Sequence, residues 1–160
     1  MDVQVLKADY ANPDHARSLV NLLDAYASDP MGGGEGLPAH VRQNLVAALS
    51  DIPEAFSILA IIEGTAVGLV NCFQGFSTFA CKPLINIHDV FVLDEYRGQG
   101  ISLKMLGLVE TIARQRDCCK LTLEVMVTNK PARSVYEKFG FTHYQLDEED
   151  NPAHFWQKKL

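Results

Sequence analysis

Val90-Phe91-Val92-Leu93-Asp94-Glu95-Tyr96-Arg97-Gly98-Gln99-Gly100-Ile101-Ser102 is the stretch on which the fold turns. It begins as an apolar strand, passes through a glycine-bearing turn and opens directly into a helical pattern. Ile101, Met105, Leu108 and Ile112 recur at helical spacing and predict a helix over residues 100–116. The first backbone N–H groups of a helix have no intrahelical partner, and the helix dipole is positive at that end. A strand that turns into a helix start is therefore a seat for an anion. Gly98 and Gly100 carry no side chain to stand between the backbone and a phosphate. Taken alone, the same residues also describe a plain turn in which glycine serves only geometry.

Upstream, residues 3–6 read as a first strand. Asn12-Pro13 opens a helix, with Asn as the cap and Pro at the first helical position. Leu19, Leu22, Leu23 and Tyr26 share one face of that helix, and Asp29-Pro30 ends it. Gly32, Gly33, Gly34 and Gly36 form a loop with no following Lys-Ser/Thr pair, so it is not a P-loop. A second helix follows Pro38, burying Val41, Leu45 and Leu49. Residues 56–62 and 66–73 are apolar strands joined at Glu63-Gly64, a tight-turn pair, and residues 85–92 are the next strand.

Downstream, Leu121, Leu123, Val125 and Val127 alternate as a strand over 121–127, and residues 131–139 form a short helix stopped by Gly140. Residues 141–146 and 154–159 read as a final strand pair. The order β-α-α-β-β-β-α-β-α-β-β mixes hairpins with βα units. It predicts an α/β (α+β) protein with a single mixed, mostly antiparallel sheet and helices on both faces. The 160 residues suit one domain spanning 1–160.

The bulk properties narrow the function. A formal net charge of −6 argues against nucleic-acid binding and is compatible with a cationic substrate. Cys72, Cys81, Cys118 and Cys119 contain no C-x-x-C pair, so no metal site is expected, and free thiols fit a reducing compartment. The opening Met1-Asp2-Val3-Gln4 has no signal pattern, and no apolar run approaches membrane-spanning length. A soluble, cytoplasmic protein is expected.

Arg97-x-x-Gly100-x-Ser102 resembles the diphosphate-binding motif of the GNAT superfamily of N-acetyltransferases, Gln/Arg-x-x-Gly-x-Gly/Ala, with Ser102 where Gly or Ala is usual. Leu123-Glu124-Val125, Asn129, Ala132, Tyr136 and Gly140-Phe141 resemble the second signature of that superfamily. The wording around Tyr96-Arg97-Gly98 is similar to that of spermidine/spermine-type amine acetyltransferases.

The resemblance implies acetyl-CoA as co-substrate, lying between two splayed parallel strands, 85–92 and 121–127. It implies diphosphate binding by Arg97, Gly98, Gln99, Gly100, Ile101, Ser102 and Leu103. Backbone groups of Val90, Phe91 and Val92 would hold the pantetheine arm, with Asn129 and Ala132 beside it. Tyr136 would protonate the departing thiolate as general acid.

His88 stands where related amine acetyltransferases hold Glu, and histidine titrates near neutral pH, which makes it the candidate base. Strand alternation would put His88 on the side of Val90 and Val92, with Asp89 opposite. Glu124 and a water chain are the other candidates for the base. The acceptor is a small-molecule, peptide or protein amine, and a homodimer is possible. A catalytically silent acyl-CoA-binding module and a nucleotide-binding protein are the competing readings.

Overall fold

A computed structural model describes residues 2–144 and 155–160. It comprises two compact units, Met1–Met126 and Val127–Leu160. In the first unit β1 (Gln4–Lys7) is followed by α1 (Pro13–Ser28), α2 (Ala39–Ser50), β2 (Ala55–Ile62), β3 (Thr65–Ser77) and β4 (Lys82–Val92). A 3-10 turn at Asp94–Tyr96 then leads to α3 (Ile101–Gln115) and β5 (Leu121–Leu123). The second unit contains α4 (Lys130–Phe139).

Local chemistry sets most boundaries. Asn12 caps α1 by accepting the N–H groups of Asp14 and His15, and Pro13 lies in its first turn. The β2–β3 hairpin turns on Glu63 and Gly64, whose φ values of 48° and 79° are both left-handed. That pair of conformations matches the twist of the flanking strands.

The strands lie in the order β1-β2-β3-β4-β5. Neighbours from β1 to β4 are antiparallel, and β4 and β5 are parallel. This is the mixed, mostly antiparallel sheet expected. α1 and α2 cover one face, where Leu19, Leu22 and Leu49 join Ala55, Leu59, Leu69 and Phe91 in one buried cluster. α3 covers the other face with Ile101, Met105, Leu106 and Val109, all buried. Gly68 makes that approach possible, because a Cβ there would lie 2.9 Å from Met105 Cε. With both faces covered, β2 is apolar almost throughout.

Two expectations need correction. The strand predicted over 121–127 ends at Leu123, and Val127, meant to alternate inward, is 78% exposed. The reason lies in β4, which bulges immediately after the last residue paired with β5. The final strand pair is absent among the described residues: 141–144 and 155–160 form no strand, and 145–154 lie outside the described residues. Phe141 instead closes α4. Its N–H bonds the Tyr136 carbonyl at 2.9 Å past a left-handed Gly140, a common helix stop.

Candidate active site

β4 is where the first unit departs from a regular ladder. Asp89 pairs with Asn71 and Ile87 with Cys72, which leaves His88 as an extra, unpaired residue in a β-bulge. Pairing with β5 covers only Ile85, Asn86 and Ile87. From His88 to Val92 the strand is bonded to β3 alone, so its other edge offers backbone groups to an extended ligand.

The bulge also resets which way side chains point. Val90 and Val92 pair with Val70 and Gly68 on the α3 face, while Phe91 pairs with Leu69 on the α1 face. The expectation that His88 shares a side with Val90 and Val92 is therefore wrong. Its ring meets Phe73 edge-on at 5.6 Å, and Phe73 packs against the α1-side core. His88 and Asp89 lie on the same side rather than on opposite ones. The bulge inserts one residue, and that residue breaks the alternation.

Beyond β4 the chain enters the glycine turn. Gly98 and Gly100 have φ values of 75° and 76°, so glycine is needed for the backbone as well as for clearance. A Cβ on either would meet no protein atom within 4 Å. Gly100 is the N-cap of α3 and no side chain caps the helix. The Lys104 N–H returns to the Gly100 carbonyl at 3.2 Å, so the donors of Ile101, Ser102 and Leu103 precede the first helical bond. No acidic residue occupies the first turn of α3. The Gln99 side chain donates to the Glu95 carbonyl at 3.3 Å.

Arg97 is committed to the protein. Its Nε donates to the Val92 carbonyl at 2.9 Å, and Nη2 contacts Asp29 at 2.9 Å and Asp94 at 2.7 Å. The guanidinium also lies 5.6 Å from the Phe91 ring centroid. The first residue of the glycine turn thus braces the C-terminus of α1. The Arg97 hydrogen bond, then the Met31 N–H, hold the Asp29 carboxyl below its ordinary 3.8.

A carboxyl with a depressed pKa adds stability above its ordinary value and loses it as pH falls through the folded value. Asp29→Asn should therefore melt about 1–4 °C below wild type at neutral pH, the scale of a partly exposed ion pair in a domain of this size. The gap should close as pH drops below 3.8. Thermal melts of both proteins across that range check this.

A polar line crosses the α1 side of the sheet. Tyr10 Oη lies 2.9 Å from Ser57 Oγ, and Ser57 Oγ donates to Asn71 Oδ1 at 2.6 Å. Asn71 Nδ2 then donates to Asp89 Oδ2 at 3.0 Å. Beside its end, Tyr26 stacks on Phe91 at 5.5 Å. Burial, then the negative charges of Asp89 and Asp29, push the Tyr26 hydroxyl above its ordinary value. Sequence reading missed this line. Its only local signal was two polar residues, Ser57 and Asn71, inside apolar strands.

In the second unit Asn129 caps α4, its Oδ1 accepting the Ala132 N–H at 3.2 Å. Ala132 and Tyr136 follow one turn apart, both half-buried. The Tyr136 ring meets Phe141 edge-on at 5.9 Å. Glu124, a candidate base, is exposed and lies past the end of β5. Burial raises the Cys72 thiol far above its ordinary value, which leaves it a core residue. Among the described residues no group of three or more His, Cys, Asp or Glu is arranged to hold a metal, and no helix is long and apolar enough to cross a membrane.

Known proteins resemble this chain in both sequence and fold. An uncharacterized N-acetyltransferase of Archaeoglobus fulgidus is 40% identical over 80 residues, 49% of this chain and 54% of that protein. The uncharacterized N-acetyltransferase YhfO of Bacillus subtilis is 29% identical over 76% of this chain and 79% of its own length. A bovine thialysine N-epsilon-acetyltransferase is 39% identical over 46% of this chain and 43% of its own. The chain thus spans about half the length of the first and third of these relatives.

Among solved structures, that of a probable acetyltransferase superposes with a TM-score of 0.79 at 23% identity, covering 98% of this chain and 99% of that one. AAC(6')-Iy, solved with a CoA bisubstrate analogue, superposes at 0.77 with 16% identity over all of both chains. Identities this low bear on the fold alone. The profile of the Acetyltransferase (GNAT) family matches residues 17–141, most of the chain and all of the β4–glycine turn–α3 arrangement. The chain belongs to the GNAT family of acetyltransferases.

Proposed function

We propose that this protein, acting as a single domain over residues 1–160, transfers an acetyl group from acetyl-CoA directly to an amine within a ternary complex. One observation carries the reading. The unpaired edge of β4 from His88 to Val92 leads straight into the glycine turn and the uncapped start of α3. An extended amide-bearing arm ending in a diphosphate fits that sequence of features: backbone edge first, anion seat second. Val90, Phe91 and Val92 would bond the arm. The backbone from Arg97 through Gly98, Gln99, Gly100, Ile101 and Ser102 to Leu103 would hold the diphosphate. Arg97 contributes its backbone, because its guanidinium is tied to Asp29, Asp94 and Val92.

Asn129 and Ala132 complete the cofactor contacts. Asn129 acts mainly by capping α4, which sets the helix that carries Tyr136. In the reaction the neutral amine attacks the thioester carbonyl, an N–C bond forms and the C–S bond breaks. Tyr136 gives its proton to the departing sulfur, and His88 takes one from the amine, directly or through one water. A backbone N–H on the free edge of β4 stabilises the oxyanion. The cysteines are not needed, and none of them is in a disulfide, which fits a reducing compartment such as the cytoplasm. A homodimer, common in the family, belongs to the same reading.

The acceptor follows from relatives only as a class. Thialysine, an amine, and a ribosomal-protein alanine appear in the names of proteins similar to this one. A screen of small amines, amino acids and peptides with acetyl-CoA, reading thiol release, tests the proposal. Release that depends on an amine supports it. Tight acetyl-CoA binding with no transfer to any amine would leave a silent acyl-CoA-binding module.

The role of His88 has its own test. His88→Ala should lower the rate by about 10²–10⁴-fold with little change in affinity for acetyl-CoA, and His88→Glu should restore part of it. The groups facing His88 are Phe73 on β3 and its neighbour Asp89. An unchanged rate in His88→Ala would remove His88 from the mechanism.

A further inference from the structure

Ser57 and Asn71 are the buried polar residues of the described structure, 0% and 4% exposed, set among Ile, Leu and Val of β2 and β3. Apolar residues would pack there at less cost, since each buried polar group must be fully bonded to break even. Each is bonded, and the bonds run in one direction. Ser57 Oγ donates to Asn71 Oδ1, which leaves Asn71 only Nδ2 to offer onward, and Nδ2 donates to Asp89. A donor aimed at a carboxylate fixes its orientation. An amide does not readily pass a proton from its oxygen to its nitrogen, so the line holds Asp89 in place rather than conducting protons from it.

Among the described residues Asp89 forms no ion pair, and Asn71 is the hydrogen-bond partner of its side chain. It is half-buried at the point where β4 parts from β5. Arg97, which lies by the Phe91 ring, is held by Asp29 and Asp94. The groups facing Asp89 are His88 on β4, Asn71 on β3, and from α1 Tyr26, with Asp29 beyond it. The rings of Tyr26, Phe91 and Phe73 line the same side.

We propose that Asp89, aimed by the Asn71–Ser57–Tyr10 line, receives the ammonium group of the acceptor, so that the acceptor is an alkylamine that arrives protonated from the α1–α2 side of the sheet. The proposal rests on the acetyl-transfer reading for its chemistry. Asp89 binds the ammonium, His88 beside it takes one N–H proton, and the neutral amine attacks. The two adjacent residues divide binding and deprotonation, and the bulge makes this possible by bringing both to one side. Asn71 is a positioning residue.

Asp89→Asn tests this, because it keeps the side-chain shape and an oxygen for Asn71 while removing the charge. The probes are n-butylamine, protonated at pH 7, and aniline, neutral at pH 7. Asp89→Asn should raise KM for n-butylamine about tenfold or more, the scale of a lost bond to a charged group, with kcat changed far less. Aniline kinetics should stay as in wild type, and Asp89→Glu should recover part of the loss. Asn71→Ala should raise KM for n-butylamine in the same direction and by less.

Calorimetric titration of n-butylamine into the protein with CoA bound measures the same site without turnover. Wild-type binding that Asp89→Asn abolishes supports the proposal even if no thiol is released, in which case it is the acetyl-transfer reading that fails. Equal binding in the two proteins, an equal loss for aniline, or no binding of n-butylamine to wild type would overturn it.

Discussion

Tyr136→Phe is expected to lower turnover by about 10²–10⁴-fold, the usual contribution of a general acid, with little change in affinity for acetyl-CoA. The substitution removes one oxygen and leaves the ring. The ring keeps its edge-on packing on Phe141 at 5.9 Å, and α4 keeps its Asn129 cap and its Gly140 stop. Folding should therefore survive, and the loss should appear in kcat alone. A thiolate can leave unprotonated, so a residual rate should persist. Rapid-quench or steady-state measurement with a fixed amine, alongside calorimetry with acetyl-CoA, separates the two quantities. If Tyr136→Phe retained full turnover, Tyr136 would be a packing residue of α4 and solvent would supply the proton.

The parts of the fold that were legible in the sequence are those fixed by neighbouring residues. Asn12-Pro13, Glu63-Gly64 and the run from Val90 to Ser102 each carry their structural reason within a few positions, and each forms the element expected. Features that depend on pairing across the sheet were not legible. The bulge at His88 exists because Asn71 takes Asp89 as partner and Cys72 takes Ile87, a choice invisible from β4 alone.

Alternation assumes an unbroken ladder, so one inserted residue was enough to send His88 to the other face. The same bulge draws β4 away from β5 and ends that strand at Leu123. Two long-range contacts were equally hidden. Arg97 reaches back 68 residues to Asp29, and Ser57 bonds Asn71, its partner on the neighbouring strand. An arginine in a phosphate-binding motif reads as a ligand for phosphate, and only its contacts reveal it as a brace.

Gly100→Val carries the second large effect and bears on the central claim, that the start of α3 seats the diphosphate of acetyl-CoA. Gly100 has a φ of 76°, which costs a non-glycine residue roughly 1–2 kcal/mol. That strain should lower the melting temperature by about 2–8 °C without unfolding the chain. A Cβ at Gly100 meets no protein atom within 4 Å, so the added bulk projects into open space at the helix start. If that space holds a diphosphate, at least one charge-assisted bond to a backbone N–H is lost, about 1.5–3 kcal/mol, or at least tenfold in affinity. Gly64→Val is the control. It has a φ of 79° and the same open surroundings, but lies in the β2–β3 hairpin. Calorimetric titration of acetyl-CoA into wild type and both variants is the decisive measurement. Binding to wild type, weakened tenfold or more in Gly100→Val and unchanged in Gly64→Val, is the expected result; equal affinity in all three proteins would contradict it.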